Sequence, residues 1–118
     1  MKNLTEASAI ALCGAIRRRE VSSLEVVQAH LDKIRAVNPP LNAIVTLDEE
    51  GALARAKEAD AALAKGEVWG PLHGLPMTLK DGHETAGMRT TAGHPPLAQH
   101  IPENDGTIAT RVKGAGSQ

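Results

Sequence analysis

Gly70-Pro71-Leu72-His73-Gly74-Leu75-Pro76-Met77-Thr78-Leu79-Lys80-Asp81 is the stretch on which the reading of this chain turns. Gly70-Pro71 and Gly74 mark turns, and the ring of Pro76 restricts Leu75 to an extended conformation. Met77 and Leu79 then fall on one face, Thr78 and Lys80 on the other. The spacing predicts a short, buried strand over 77–80 with Lys80 at its C-terminal end and a loop beyond. In open α/β sheets that end of a strand is where sites are built. Burial among apolar groups disfavours the ammonium form of a lysine, and a neutral amine is a general base near pH 7. The plain alternative is a solvated lysine in a weak surface ion pair with Asp81.

Upstream of this stretch the signals are helical. Ala9, Leu12, Cys13 and Ile16 recur at helical spacing between Thr5 and Arg19, with Arg17, Arg18 and Arg19 placed to complement the dipole. Ser22 and Glu25 form an S-x-x-E capping box. Leu24, Val27, Leu31, Ile34 and Val37 make the stripe behind it, and Asn38-Pro39-Pro40 is read as the stop. These two helices are expected to pair antiparallel. Ala43 to Leu47 is a second strand candidate. Asp48 caps an alanine-rich helix to about Lys65, with Gly66 as its C-terminal stop. Glu49-Glu50 reads as first-turn dipole compensation.

Downstream, Asp105 is read as the cap of a last helix carrying Ile108 and Val112, ended by Gly114-Ala115-Gly116. The order helix, helix, strand, helix, strand, long loop, helix is the opening of an α/β protein, with another strand expected just after Gly116. A strand without a neighbour leaves its backbone groups unpaired. The expectation is the beginning of something larger: residues 1–66 mainly helical, residues 67–118 a lysine-bearing strand, a loop and a helix.

Composition narrows the function classes. The chain has 118 residues, a net charge of −1, no Phe or Tyr, and Trp69 as its lone aromatic. It has neither the basic footprint nor the stacking side chains of a nucleic-acid binder. Many of its apolar residues are alanine, so a self-contained core would rest on Leu, Ile and Val. A single cysteine, Cys13, excludes an internal disulfide. The apolar run from Ala9 to Ile16 is far short of the ~20 residues that span a bilayer. Glu6 and Leu12 argue against a lipoprotein signal ending at Cys13. A soluble, cytoplasmic chain with no membrane partner is expected.

The motifs taken together resemble the N-terminal part of the amidase signature family, which includes general amidases and the A subunit of the glutamyl-tRNA amidotransferase. The resemblance runs from Leu4 through Ala15-Ile16-Arg17-Arg18, Val21-Ser22-Ser23, Asn38-Pro39 and Leu41-Asn42-Ala43. It continues through Gly70 to Pro76, Lys80-Asp81 and Thr85 to Gly93, and resumes at Asp105 and Gly114-Ala115-Gly116. It implies an α/β fold of helices flanking a mixed sheet, cut off before most of the central sheet. It implies that Lys80 is the catalytic base of a Ser–cis-Ser–Lys triad hydrolysing linear amide bonds, with a small amide substrate and no metal or organic cofactor. The dense match over Thr85 to Gly93 leans toward a general amidase.

The departures are specific. Ser8, Ser22, Ser23 and Ser117 are the available serines, and none matches the family's Gly/Ser-rich motif. His83 stands where the family usually carries an apolar residue. An inactive N-terminal fragment, with exposed strand edges that invite self-association, is therefore expected. The alternative is a non-catalytic remnant acting as a binding module. His73, His83, His94 and His100 raise a metal site, but they lack zinc-ligand spacing, and ordinary loop histidines are expected. Gly114-Ala115-Gly116 leads into no phosphate loop.

Overall fold

The N-terminus of the second helix shows how this sequence builds its frame. Ser22 accepts the backbone N–H of Glu25 at 3.0 Å, and Glu25 returns the bond to the Ser22 N–H at 2.9 Å. The capping box read from the sequence is thus closed. Two further amides of the same turn are met from across the fold, where Asp60 accepts Ser23 N–H at 2.7 Å and Leu24 N–H at 3.0 Å. A carboxylate at a helix N-terminus satisfies orphan donors and complements the dipole at once.

The computed structural model describes residues 3–117. Among these residues four helices follow in order: α1 Ala9–Arg17, α2 Ser23–Leu41, α3 Glu49–Ala64 and α4 Thr107–Gly114, with a 3₁₀ turn at Pro95–Leu97. Helix α2 packs on α3. The pair is antiparallel, because Asp60 near the end of α3 meets the start of α2, and Arg35 late in α2 pairs with Glu49 at the start of α3. The sequence had suggested α1 and α2 as the pair. Alanine decides otherwise: Ala56, Ala59 and Ala62 are all buried and let α3 approach closely, with Ala56 meeting Val27 and Leu31. A second cluster joins Leu12, Ala15 and Ile16 of α1 to Val21, Val26 of α2 and Leu75. Full burial of side chains such as Ile16 and Val26 stabilises by about 1.5–3 kcal/mol each.

Helix α2 does not stop at Asn38-Pro39-Pro40 but runs through both prolines to Leu41. The two prolines remove two amide donors from the last turn, and Asn42, left-handed at φ 50°, closes the end by donating to the Asn38 carbonyl. Helix α4 begins one residue later than expected, with Gly106 rather than Asp105 at the cap position.

The mixed sheet is absent: no strand forms among the described residues. Residues 43–47 and 77–80, both expected as strands, carry no ladder. A strand is stabilised by its neighbour, and neither segment has one. At Ile44 a side chain takes the neighbour's role, with the Asn38 amide accepting Ile44 N–H at 2.9 Å and donating to Ile44 C=O at 3.0 Å. Among the described residues no helix is long and apolar enough to cross a membrane.

Candidate functional site

Residues 70–75 are held from three sides. Gly70 lies so close to the end of α4 that a Cβ there would sit 2.4 Å from the Ala115 carbonyl oxygen. Leu72 N–H donates to that same oxygen at 2.9 Å, and Gly74 N–H donates to Gly116 C=O at 3.0 Å. Buried His73 accepts Trp69 N–H at Nδ1 (3.0 Å), which assigns the proton to Nε2, where it donates to the Ala59 carbonyl at 2.8 Å. Trp69 contacts both the His73 ring and the Arg55 guanidinium, whose Cζ lies 4.2 Å from the indole centroid. The motif's first half is thereby tied to α3 and to the end of α4.

Two buried serines complete the clamp. Ser23 Oγ donates to Gly74 C=O at 2.6 Å and Ser117 Oγ donates to Leu75 C=O at 2.8 Å. Ser8 and Ser22 accept the first-turn amides of α1 and α2.

Beyond Pro76 the chain comes to the surface. Met77, Thr78 and Lys80 are exposed and Leu79 is half-buried. The buried strand expected over 77–80 is therefore corrected. Among the described residues nothing pairs with this segment to cover it. Lys80 C=O accepts His83 N–H at 2.9 Å, opening a loop. Asp81 closes that loop: its Oδ1 accepts Thr91 N–H at 3.1 Å, its Oδ2 accepts the Thr91 hydroxyl, and its C=O accepts Ala92 N–H at 3.0 Å. The Thr91 hydroxyl and amide hold the Asp81 carboxyl below the usual carboxylate range, with Arg89 adding to the effect. Among the described residues no ion pair joins Lys80 to Asp81, while the exposure of Lys80 is the solvated half of the plain alternative.

The same loop is stitched to α4. Ala86 N–H donates to Asp105 at 2.8 Å, Gly106 N–H to Glu84 C=O at 2.8 Å, and Thr90 N–H to His100 C=O at 2.9 Å. Asp105, read from the sequence as a helix cap, instead bridges Ala86 and Lys113; the lysine and the amide lower its carboxyl from the ordinary value. His100 faces Glu84 at 3.0 Å, whereas His83 and His94 are exposed. No group of three or more His, Cys, Asp or Glu among the described residues is placed to hold a metal. Sequence reasoning missed His73, Asp60 and the Asp81–Thr91 contact, since partners 10 to 37 residues apart leave no periodic signal.

A clamped Gly-Pro-rich turn leads to an exposed lysine at the base of a pinned loop, and comparison with known proteins gives the family. The Amidase family model matches residues 25–117, and the chain belongs to that family. The A subunit of the glutamyl-tRNA(Gln) amidotransferase of Acidothermus cellulolyticus is 45% identical over 116 residues, covering 98% of this chain and 23% of that protein. Its counterpart from Salinispora arenicola is 46% identical over 117 residues, covering 99% and 24%. Among solved structures, the peptide amidase from Stenotrophomonas maltophilia superposes with a TM-score of 0.87 at 34% identity, covering 95% of this chain and 23% of that one. Fatty acid amide hydrolase superposes with a TM-score of 0.85 at 26% identity, covering 97% and 20%. This chain is thus part of the amidase signature fold and spans about a quarter of the length of the relatives it matches.

Proposed function

We propose that this chain supplies the N-terminal part of an amidase that hydrolyses linear carbon–nitrogen amide bonds, with Lys80 as the base. The observation that carries this reading is the family match over 25–117, which spans Lys80 and the loop that Asp81 closes. In the Ser–cis-Ser–Lys chemistry that the resemblance implies, a neutral lysine takes a proton through a bridging serine. The nucleophilic serine attacks the amide carbonyl, backbone amides hold the oxyanion, and ammonia or an amine leaves. Lysine as the base is a known variation on the triad.

The chain's own residues contribute the lysine and its mounting. Residues 70–75 are anchored by His73, Ser23 and Ser117, so the backbone enters the 77–80 segment from a fixed point. Both serines of the triad match no position here, so these 118 residues alone have no turnover in this reading. The substrate class is a small amide, no metal or organic cofactor enters the chemistry, and the compartment is the cytoplasm. Self-association through the exposed 77–80 segment belongs to the same reading. The 45% identity to an amidotransferase component exceeds the 34% to a peptide amidase. That draws the assignment toward the amidotransferase side, away from the lean that Thr85 to Gly93 suggested.

The test grafts residues 1–117 in place of the corresponding quarter of the Stenotrophomonas peptide amidase, with peptide amides as probes. Turnover is expected in the graft. Its kcat should fall by at least about 100-fold in both Lys80→Ala and Lys80→Arg, because arginine keeps the charge and cannot deprotonate. Near-parental kcat in Lys80→Arg would reduce Lys80 to an ion-pairing residue. Turnover by the 118-residue chain alone, abolished by Lys80→Ala, would overturn the assignment of the missing serines.

A further inference from the structure

Lys80 and Asp81 are neighbours in sequence, and a lysine stem is long and flexible enough to fold back onto the next residue's carboxylate. The structure contains a device against that contact. Both Asp81 carboxylate oxygens are taken by one residue, Oδ1 by the Thr91 amide at 3.1 Å and Oδ2 by the Thr91 hydroxyl. The hydroxyl's direction is itself fixed, because Thr91 Oγ1 accepts Gly93 N–H at 3.2 Å and so has its proton left for Asp81. The backbone reinforces the grip: Ala92 donates to Asp81 C=O at 3.0 Å, and Ala92 and Gly93 adopt left-handed φ values of 53° and 68° to wrap the chain around the carboxylate. Arg89, on the same loop, is the cation whose field acts on Asp81.

We infer that Thr91 is a positioning residue: it holds the Asp81 carboxylate away from the Lys80 amine and so keeps that amine available as a base. The inference rests on the role proposed for Lys80 above. A carboxylate released to within ~4 Å of an exposed amine favours its ammonium form by about fivefold through water, and the free-base fraction falls accordingly. Thr91 is thereby assigned a chemical consequence beyond loop support.

The experiment is competitive labelling of the full 118-residue chain with limiting acetic anhydride near neutral pH, read by peptide mass spectrometry. Exposed Lys33, Lys57 and Lys65 serve as internal references. Thr91→Val, which removes the hydroxyl and keeps the backbone amide, is expected to slow Lys80 acetylation measurably, by up to about fivefold relative to them. Thr91→Ser, which keeps the hydroxyl, should retain the parental rate. In Thr91→Val combined with Asp81→Asn the rate should return to the parental value, since the charge is gone. An unchanged or faster Lys80 rate in Thr91→Val would overturn the inference, as would a double variant as slow as the single one. The readout needs no turnover, so it separates this inference from the catalytic role of Lys80: an active Lys80→Arg graft would remove that role while leaving the labelling result intact.

Discussion

The carboxylate of Asp60 accepts the backbone N–H of Ser23 at 2.7 Å, across 37 residues of sequence. Together with the Leu24 amide it joins the C-terminal half of α3 to the first turn of α2, whose Ser23 hydroxyl in turn holds Gly74. One acid therefore couples the helical frame to the turn that leads to Lys80.

Asp60→Ala should cost about 2 kcal/mol, the range for hydrogen bonds to a charged group whose partners are left partly buried. Asp60→Asn, keeping one acceptor oxygen, should cost about half as much. Urea denaturation followed by far-UV helicity measures both. Equal stability of Asp60→Ala and the parent would mean that water replaces the carboxylate at no loss.

His73→Leu preserves bulk but strips two bonds, leaving Trp69 N–H without its acceptor and the Ala59 carbonyl without the Nε2 donor. A loss of about 1–3 kcal/mol is expected. It should be accompanied by a changed tryptophan emission, since Trp69 packs on the imidazole at 4.9 Å between ring centres. Emission identical to the parent would show that Arg55 alone holds the indole.

Two glycines, both at positive φ, differ in what a new Cβ would meet. Gly70→Ala drives a Cβ against the Ala115 carbonyl and should cost about 3 kcal/mol, with faster amide exchange at Leu72 and Gly74. Gly66→Ala meets open space and carries only the left-handed penalty at φ 80°, about 1 kcal/mol. Similar losses at the two positions would contradict the close approach of α4's end to the motif.

Acid should open the loop before the helices. Asp81 is depressed by the Thr91 hydroxyl and amide, and Asp105 by Lys113 and the Ala86 amide. A carboxyl whose value is lower in the folded chain contributes stability above its unfolded value, about 3.9. That contribution is lost as pH falls through the depressed value. The Thr91 and Ala86 amide proton shifts should move together below about pH 4 while helicity persists. Midpoints at or above the ordinary aspartate value would show that these bonds do not survive in solution.

The local features of this protein were legible from residues close together in sequence. Ser22 and Glu25 announced the start of α2, Asp48 the start of α3 and Gly66 its end, because caps depend on neighbours three residues away and on φ preferences. The order of turns around Lys80 was equally readable, and with it the family. What spacing could not contain was the pairing of α2 with α3, which buried alanines allow by close approach, or the extension of α2 through Pro39 and Pro40. Nor could it show that His73 reaches the Ala59 carbonyl, that Asp81 is engaged by Thr91 or that Lys80 stands exposed. The 43–47 and 77–80 segments have the alternation and turn signals of strands, yet no ladder forms. A helix satisfies its own backbone within a few residues, whereas a strand exists only through a partner that tertiary structure must provide.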